Sequence, residues 1–409
     1  MLQKFCKVKS FARLLFAVLP PSNERDVCST KSIFDKLHDH FDHTISQKTS
    51  KMKTKLCKNK DFYMKISVPE YYTKFKCIAD KCKDNCCIGW EIDVDESTLE
   101  RYENLSGEEG SRIRSTLNDG DPVTFKLGEC ERCANLDSQG LCKIISAIGE
   151  GYLCQICRDH PRYFNLTINN VEGGIGLACE EATRIILTSS NVTRMTTIDY
   201  HEISPRYICD EELPLKTREL IFSYLDSEDA HGESVMVAIN RLLNVSALLD
   251  SLVLGNFFSK KQMDISPDEL KNEKYSTPCS DEIISIISSA FDDAEALTKD
   301  FHEKRKSAIK VISEQAFYEF LDSDGRKYFI NLLCYFIHRY FLCGEADYVQ
   351  SMGFSIASTL LICAIAYSGG DLSIEKIIEE AKNFSKNVEY SEENVADAME
   401  NMGKISHFY

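Results

Sequence analysis

The sequence predicts a mainly α protein in which a cysteine-rich region precedes a helical C-terminal domain. Two observations carry that reading. Of the 18 cysteines in 409 residues, ten fall between Cys77 and Cys179, in a stretch punctuated by glycine turns such as "NDGDP" and "VEGGIG". From about residue 190 onward the turns thin out and apolar residues recur at helical spacing. The chain is long enough for two or three domains and a sizeable core.

Taken in order, residues 1–60 read as a variable or disordered extension. Met1 to Asn23 carries Lys4, Lys7, Lys9 and Arg13, no acidic residue, and the apolar run "LLFAVLPP". Arg13 interrupts the apolar stretch and no small-residue cleavage site follows, so an upstream start explains it better than a targeting segment. Six lysines between Lys48 and Lys60 form a solvated linker. Residues 61–190 are the cysteine-rich region and 191–409 the helical domain. In the latter, "ESVMVAINRLLNVSALLDSLVLG" predicts a helix that stops at Gly255. "KYFINLLCYFIHRYFL" is apolar on nearly every face and belongs inside a bundle. "SIASTLLICAIAY" (Ser355–Tyr367) is too short to span a bilayer and reads as a buried helix. "SIEKIIEEAKNFSKNV" suits an amphipathic outer helix.

A net charge of −16, from 48 basic and 64 acidic side chains, argues against a non-specific nucleic-acid binder, whose affinity would come from Lys and Arg neutralising phosphates. A secreted disulfide scaffold would be shorter and would need staples because its core is small. The eight cysteines outside the rich region are scattered, several in apolar runs where a cysteine is a small buried hydrophobe.

Three chemistries use a thiol cluster: disulfides, structural zinc and iron–sulfur centres. Cys130-x2-Cys133 and Cys154-x2-Cys157 would make two zinc knuckles, which leaves six cysteines of the region unassigned. His160 is the region's only histidine, and an all-thiolate set suits an iron–sulfur cluster. The residues alone therefore predict a metal-binding region, with iron–sulfur ahead of zinc. Cys86 and Cys87 can serve one centre only where the backbone is irregular, and Gly89 would help. The C-x3-C-x2-C spacing of common radical enzymes is absent.

"FKCIADKCKDNCCIGWEID", from Phe75, resembles the opening signature of the flagellin lysine N-methylase (FliB-like) family. "CANLDSQGLCKIISAIGEGYLCQICRDHPRYF" and "GIGLACEEATRIIL" resemble its second and third cysteine blocks, and "FSKNVEYSEENV" a final motif. The blocks are also similar to a zinc- or iron-chelating domain family. The chain departs from the family pattern at His160, which replaces an aromatic, at Ala178 and Glu180, which replace Ser and Pro, and at Tyr390, which replaces His.

The resemblance implies a cytoplasmic protein-lysine N-methyltransferase that acts on flagellin, uses S-adenosylmethionine as donor, and contains an iron–sulfur cluster of 4Fe-4S type. Carried over by position, the cluster ligands would come from Cys82, Cys86, Cys87, Cys133, Cys142 and Cys157, with Cys77 and Cys179 less central; Cys130 and Cys154 match no family position. No G-x-G-x-x-G loop is present to hold a nucleoside, and Gly173, Gly174 and Gly176 are the only candidates for a close backbone approach to the donor. Asp159, His160 and Tyr163 are the candidates for assisting lysine deprotonation, each with an ordinary structural role as its alternative. A metal-binding or electron-transfer module without methyltransferase activity is the other reading. No nucleic acid or membrane span is expected.

Overall fold

The computed structural model describes residues 64–83, 86–89, 91–167, 170–200, 206–209, 212–259, 264–295, 298–342 and 346–409. The expected N-terminal extension, residues 1–60, lies outside them. Helices dominate, as predicted, and the C-terminal region is helical.

The composition did not announce a mixed five-stranded sheet. Its order is β4-β1-β3-β2-β5: β1 (Met64–Pro69), β2 (Arg162–Thr167), β3 (Val171–Ile175), β4 (Met195–Tyr200) and β5 (Arg206–Cys209). β1 runs parallel to β3 and antiparallel to β4; β2 runs antiparallel to β3 and parallel to β5. Alternation explains β1: Ile66 and Val68 are fully buried and Lys65 faces out. "VEGGIG", expected as a turn, is mostly strand β3. Its glycines act by close approach: Tyr163 pairs with Gly174 across the β2–β3 ladder, and a Cβ on Gly174 would lie 2.3 Å from the Tyr163 ring and hydroxyl.

The helical part wraps one apolar core around the helix Tyr348–Ser368, which is buried along nearly all its length. An Asp347–Gln350 capping box starts it. The helix extends seven residues N-terminal of the run Ser355–Tyr367. It and Val235–Gly255 are both long and apolar enough to cross a membrane, but its sides pack against the helices Arg326–Tyr340, Lys299–Ile312 and Val235–Ser259. Edge-to-face rings of Phe291, Phe336, Phe354 and Phe384 lock the contacts. Helix Val235–Ser259 passes through Gly255 instead of stopping there. One helical glycine costs only about 1 kcal/mol, less than the packing of the five turns before it returns.

Packing draws a different line from composition. β1–β4 share the core of the C-terminal helices through Ile66, Val68, Phe164, Leu166, Val171, Ile175 and Ile198. A second, smaller core has its buried residues between Ile92 and Cys154, including Tyr102, Ile113, Phe125 and Ile144, with Cys87, Ile88 and Cys157 among those packed against it. We therefore propose that the metal-binding unit is the insert between Lys74, the last residue of the short helical turn Glu70–Lys74, and β2, carried on the sheet, rather than all of 61–190. The insert is loop-rich: isolated bridges such as Leu127↔Cys133 and Leu136↔Cys142 replace a sheet. Arg114 donates to the carbonyls of Tyr102 and Leu105, and the Tyr102 hydroxyl to that of Tyr152. Units with so small a core usually need a covalent or metal staple.

Candidate functional site

The thiols of the insert form two groups. The first lies in the small core. Cys133 donates its backbone N–H to the Cys87 carbonyl at 2.9 Å. Cys133 and Cys154 are buried there, and Cys87, Cys142 and Cys157 pack against the same core. Each would feel the others' charge: Cys142 acts on Cys87, Cys133 and Cys157, and Cys154 on Cys133. A hydrogen bond with Cys86 and then burial push the Cys87 thiol far up, and a bond with Cys154 and then burial do the same to Cys157. Thiols packed this way hold protons until a cation compensates them. Among the described residues no three side chains of His, Cys, Asp or Glu converge as a single-ion site.

The second group lies on the insert's margin. Cys82 Sγ is 3.8 Å from Glu180 Oε2, and the Lys83 backbone N–H donates to the same oxygen at 3.0 Å. Cys179 sits just before the helix Glu180–Thr188, its thiol pushed up to about 11 by burial, within the influence of Cys82 and Cys86. Cys86 Sγ lies 3.9 Å from Cys87 Sγ, so this turn, with Gly89 at φ +89°, links the two groups. Cys77 and Cys130 are exposed.

A cleft of about 870 Å³ opens where the insert meets the sheet and helices, a size typical of small-molecule sites. The insert contributes an acidic wall of Asp93, Asp95, Glu96, Asp121 and Asp159. The sheet and C-terminal helices contribute Arg162, Tyr163, Gly176, Arg339 and Tyr390. Asp95 is spent on structure: burial would raise its carboxyl, but N–H groups of Gln155 and Thr98 and the Ser97 hydroxyl hold it at about 2. Asp93, Glu96 and Asp121 make no side-chain hydrogen bond or ion pair among the described residues.

Residues 238–408 match the model of the FliB lysine N-methylase C-terminal domain. That segment supplies Arg339, Ser385 and Tyr390 to the cleft. Over that segment the chain is similar to the FliB family. It is 28% identical over 155 residues to the flagellar biosynthetic protein FliU of Salmonella muenchen, covering 35% of this chain and 90% of FliU. It is 28% identical over 141 residues to the lysine-N-methylases of Salmonella typhimurium and Salmonella choleraesuis, covering 32% of this chain and 34% of each of them. The alignment thus spans about a third of the length of those two methylases. No solved structure matches the chain.

In this chain, the expected ligands Cys87, Cys133, Cys142 and Cys157 come together, and Cys82 and Cys179 meet elsewhere. Cys154, left out by family position, joins the buried group; the Cys154-x2-Cys157 spacing was its signal. Asp159, His160 and Tyr163 all line the cleft, but not as equals. Burial holds His160 down to about 4, and its Nε2 is enclosed without a partner. A neutral imidazole that acidic accepts a hydrogen bond and is a poor base for an amine. Burial raises Asp159, opposed by Arg158. The Tyr163 hydroxyl turns inward, to His338 Nδ1 at 2.9 Å, so only its ring forms the wall. Of the candidate glycines, Gly176 alone lines the cleft; Gly173 and Gly174 pack under Val68, Phe164 and Tyr163. Three of the four departures from the family pattern (His160, Ala178 and Tyr390) are cleft residues.

Proposed function

We propose that the chain is an S-adenosylmethionine-dependent protein-lysine N-methyltransferase of the cytoplasm, with flagellin as substrate and a 4Fe-4S cluster in its thiol centre. The observation that carries this is the cleft itself, because the segment matched to the FliB methylase domain and the cysteine-rich insert each build one wall. Methyl transfer to lysine needs a cation site: both the sulfonium donor and the incoming ammonium are positive, and Asp93, Glu96 and Asp121 offer uncompensated carboxylates. The amine must lose its proton before its lone pair attacks the methyl carbon. The N–C bond then forms as the S–C bond breaks, leaving a neutral thioether. Desolvation within the cleft, whose lining includes the apolar Val94, Leu99, Val123 and Ile156, favours the neutral amine.

The chemistry of the donors fits a cluster: five thiols and no imidazole in the small core. A cluster bound there would supply the positive charge that lets these thiolates ionise and the cross-link a loop-rich unit needs. Incubation of anaerobically purified protein with S-adenosylmethionine and unmethylated flagellin should add methyl groups to lysines by mass spectrometry. Iron- and sulfide-loaded protein that turns over no donor with any lysine substrate would leave the metal-binding module, favoured by the insert's separate core, as the better reading.

A further inference from the structure

Arg339 is built into the cleft with unusual care. Its Nη1 donates to the Tyr335 hydroxyl at 2.6 Å and lies 3.1 Å from Glu389 Oε1. The same oxygen accepts from the hydroxyls of Tyr335 and Tyr340, each at 2.8 Å. The rings of Tyr163 and Tyr340 lie 4.7 and 5.2 Å from the guanidinium carbon. Two polar contacts hold the Nη1 edge and two aromatic rings pack around the guanidinium. Nε and Nη2 have no hydrogen bond among the described residues, and the side chain keeps 23% of its surface open, in the cleft. Glu389 is fully enclosed, with Oε2 unbonded. A buried carboxylate committed to one arginine is a poor source of stability, and it makes sense as a holder of orientation.

Gly176 leaves room for the held edge. It lines the cleft beside Arg339, and a Cβ there would lie 3.2 Å from Nη1 and 3.3 Å from the Pro161 carbonyl oxygen. The cleft is therefore polar in one direction: an open guanidinium on the sheet-and-helix wall, carboxylates on the insert wall. A guanidinium fixed by one edge presents the other as a planar fork that fits a carboxylate. S-adenosylmethionine carries a carboxylate and a sulfonium a few bonds apart. We propose that Arg339, held at Nη1 with its Nε and Nη2 open to the cleft, anchors the carboxylate at the amino-acid end of the methyl donor, which turns the sulfonium toward the acidic wall. This rests on the methyltransferase reading and adds an orientation to it.

The test is calorimetric binding of S-adenosylmethionine and of its decarboxylated analogue to the full chain, purified anaerobically. Arg339→Gln should weaken the intact donor by about 10- to 100-fold, the span expected for lost charge-assisted bonds. It should leave the decarboxylated analogue within about twofold of wild type. Because Arg339→Gln strands Glu389, the Arg339→Gln/Glu389→Gln pair and Gly176→Ala are measured beside it, with circular dichroism melting as the fold control. Gly176→Ala presses a methyl group toward Nη1 at the held edge and should also weaken the intact donor more than the analogue. Equal losses for both ligands, or none for either, overturn the placement. Loss confined to a carboxylate-bearing peptide substrate does so too. A wild-type chain that binds neither ligand brings down the methyltransferase reading and this inference together.

Discussion

The Tyr163 hydroxyl and His338 Nδ1 share a hydrogen bond of 2.9 Å, which ties a cleft residue to a fully buried imidazole on the helix Arg326–Tyr340. Burial raises the phenol and holds His338 down to about 4, so the phenol keeps its proton and the ring is neutral. The other ring nitrogen, Nε2, lies 4.0 Å from Glu172 Oε2. Tyr163→Phe should cost about 1–3 kcal/mol by urea melting, the usual toll of a buried polar group left unsatisfied. Donor binding should change little, since the ring wall remains.

The same histidine makes stability depend on pH. Its folded value, about 4, lies below the unfolded value near 6.5. Between those values the unfolded chain binds more protons, so the contribution is complete above about pH 6.5 and is lost as pH falls through 4. Glu172 opposes the shift, and Arg218 reinforces it. One such group removes about 2 kcal/mol between pH 7 and pH 5. His338→Gln, compared with wild type in urea at both values, should reduce that loss.

Glu172 and Arg218 form a bidentate pair at 2.6 and 2.8 Å, both nearly sealed from solvent. Arg218→Met should destabilise by about 3–5 kcal/mol, because the carboxylate is left without its partner. Glu172→Gln added to Arg218→Met should recover most of that. A double variant no more stable than the single one would show that the pair is not the source of the loss.

The thiol centre predicts unequal cysteines. Ala at Cys87, Cys133, Cys142 or Cys157 should remove most of the bound metal and lower solubility, since metal affinity here is also folding free energy. Ala at Cys279, Cys334 or Cys363, buried in the main core, should keep full metal content. Cys154→Ala decides whether the extra thiol of the buried group is a ligand. Iron and sulfide analysis of the purified variants reads all of these outcomes.

The acidic wall should act on substrate capture. Asp93→Asn/Asp121→Asn should raise KM for a lysine peptide severalfold at low salt and leave kcat nearly unchanged. The difference should shrink at about 1 M salt, where the screening length falls to about 3 Å. An effect on kcat alone would place these carboxylates in a different role.

The sequence by itself determined the helical class, the apolar helix that became the centre of the core, and the thiol-rich chemistry. Those properties are local: periodicity, composition and donor type do not depend on where the chain turns back. The sheet was not legible, because β1 pairs with β3 and β4 more than a hundred residues away and each strand is only four to six residues long. Only the tertiary structure sorted the cysteines, since Cys82 is drawn to Glu180 while Cys87 turns inward to Cys133. It likewise decided which candidate residues share a cleft. Gly176 from the sheet, Asp159 from the insert and Arg339 from a helix meet because two separately packed cores are joined at β2, and spacing along the chain carries no trace of that contact.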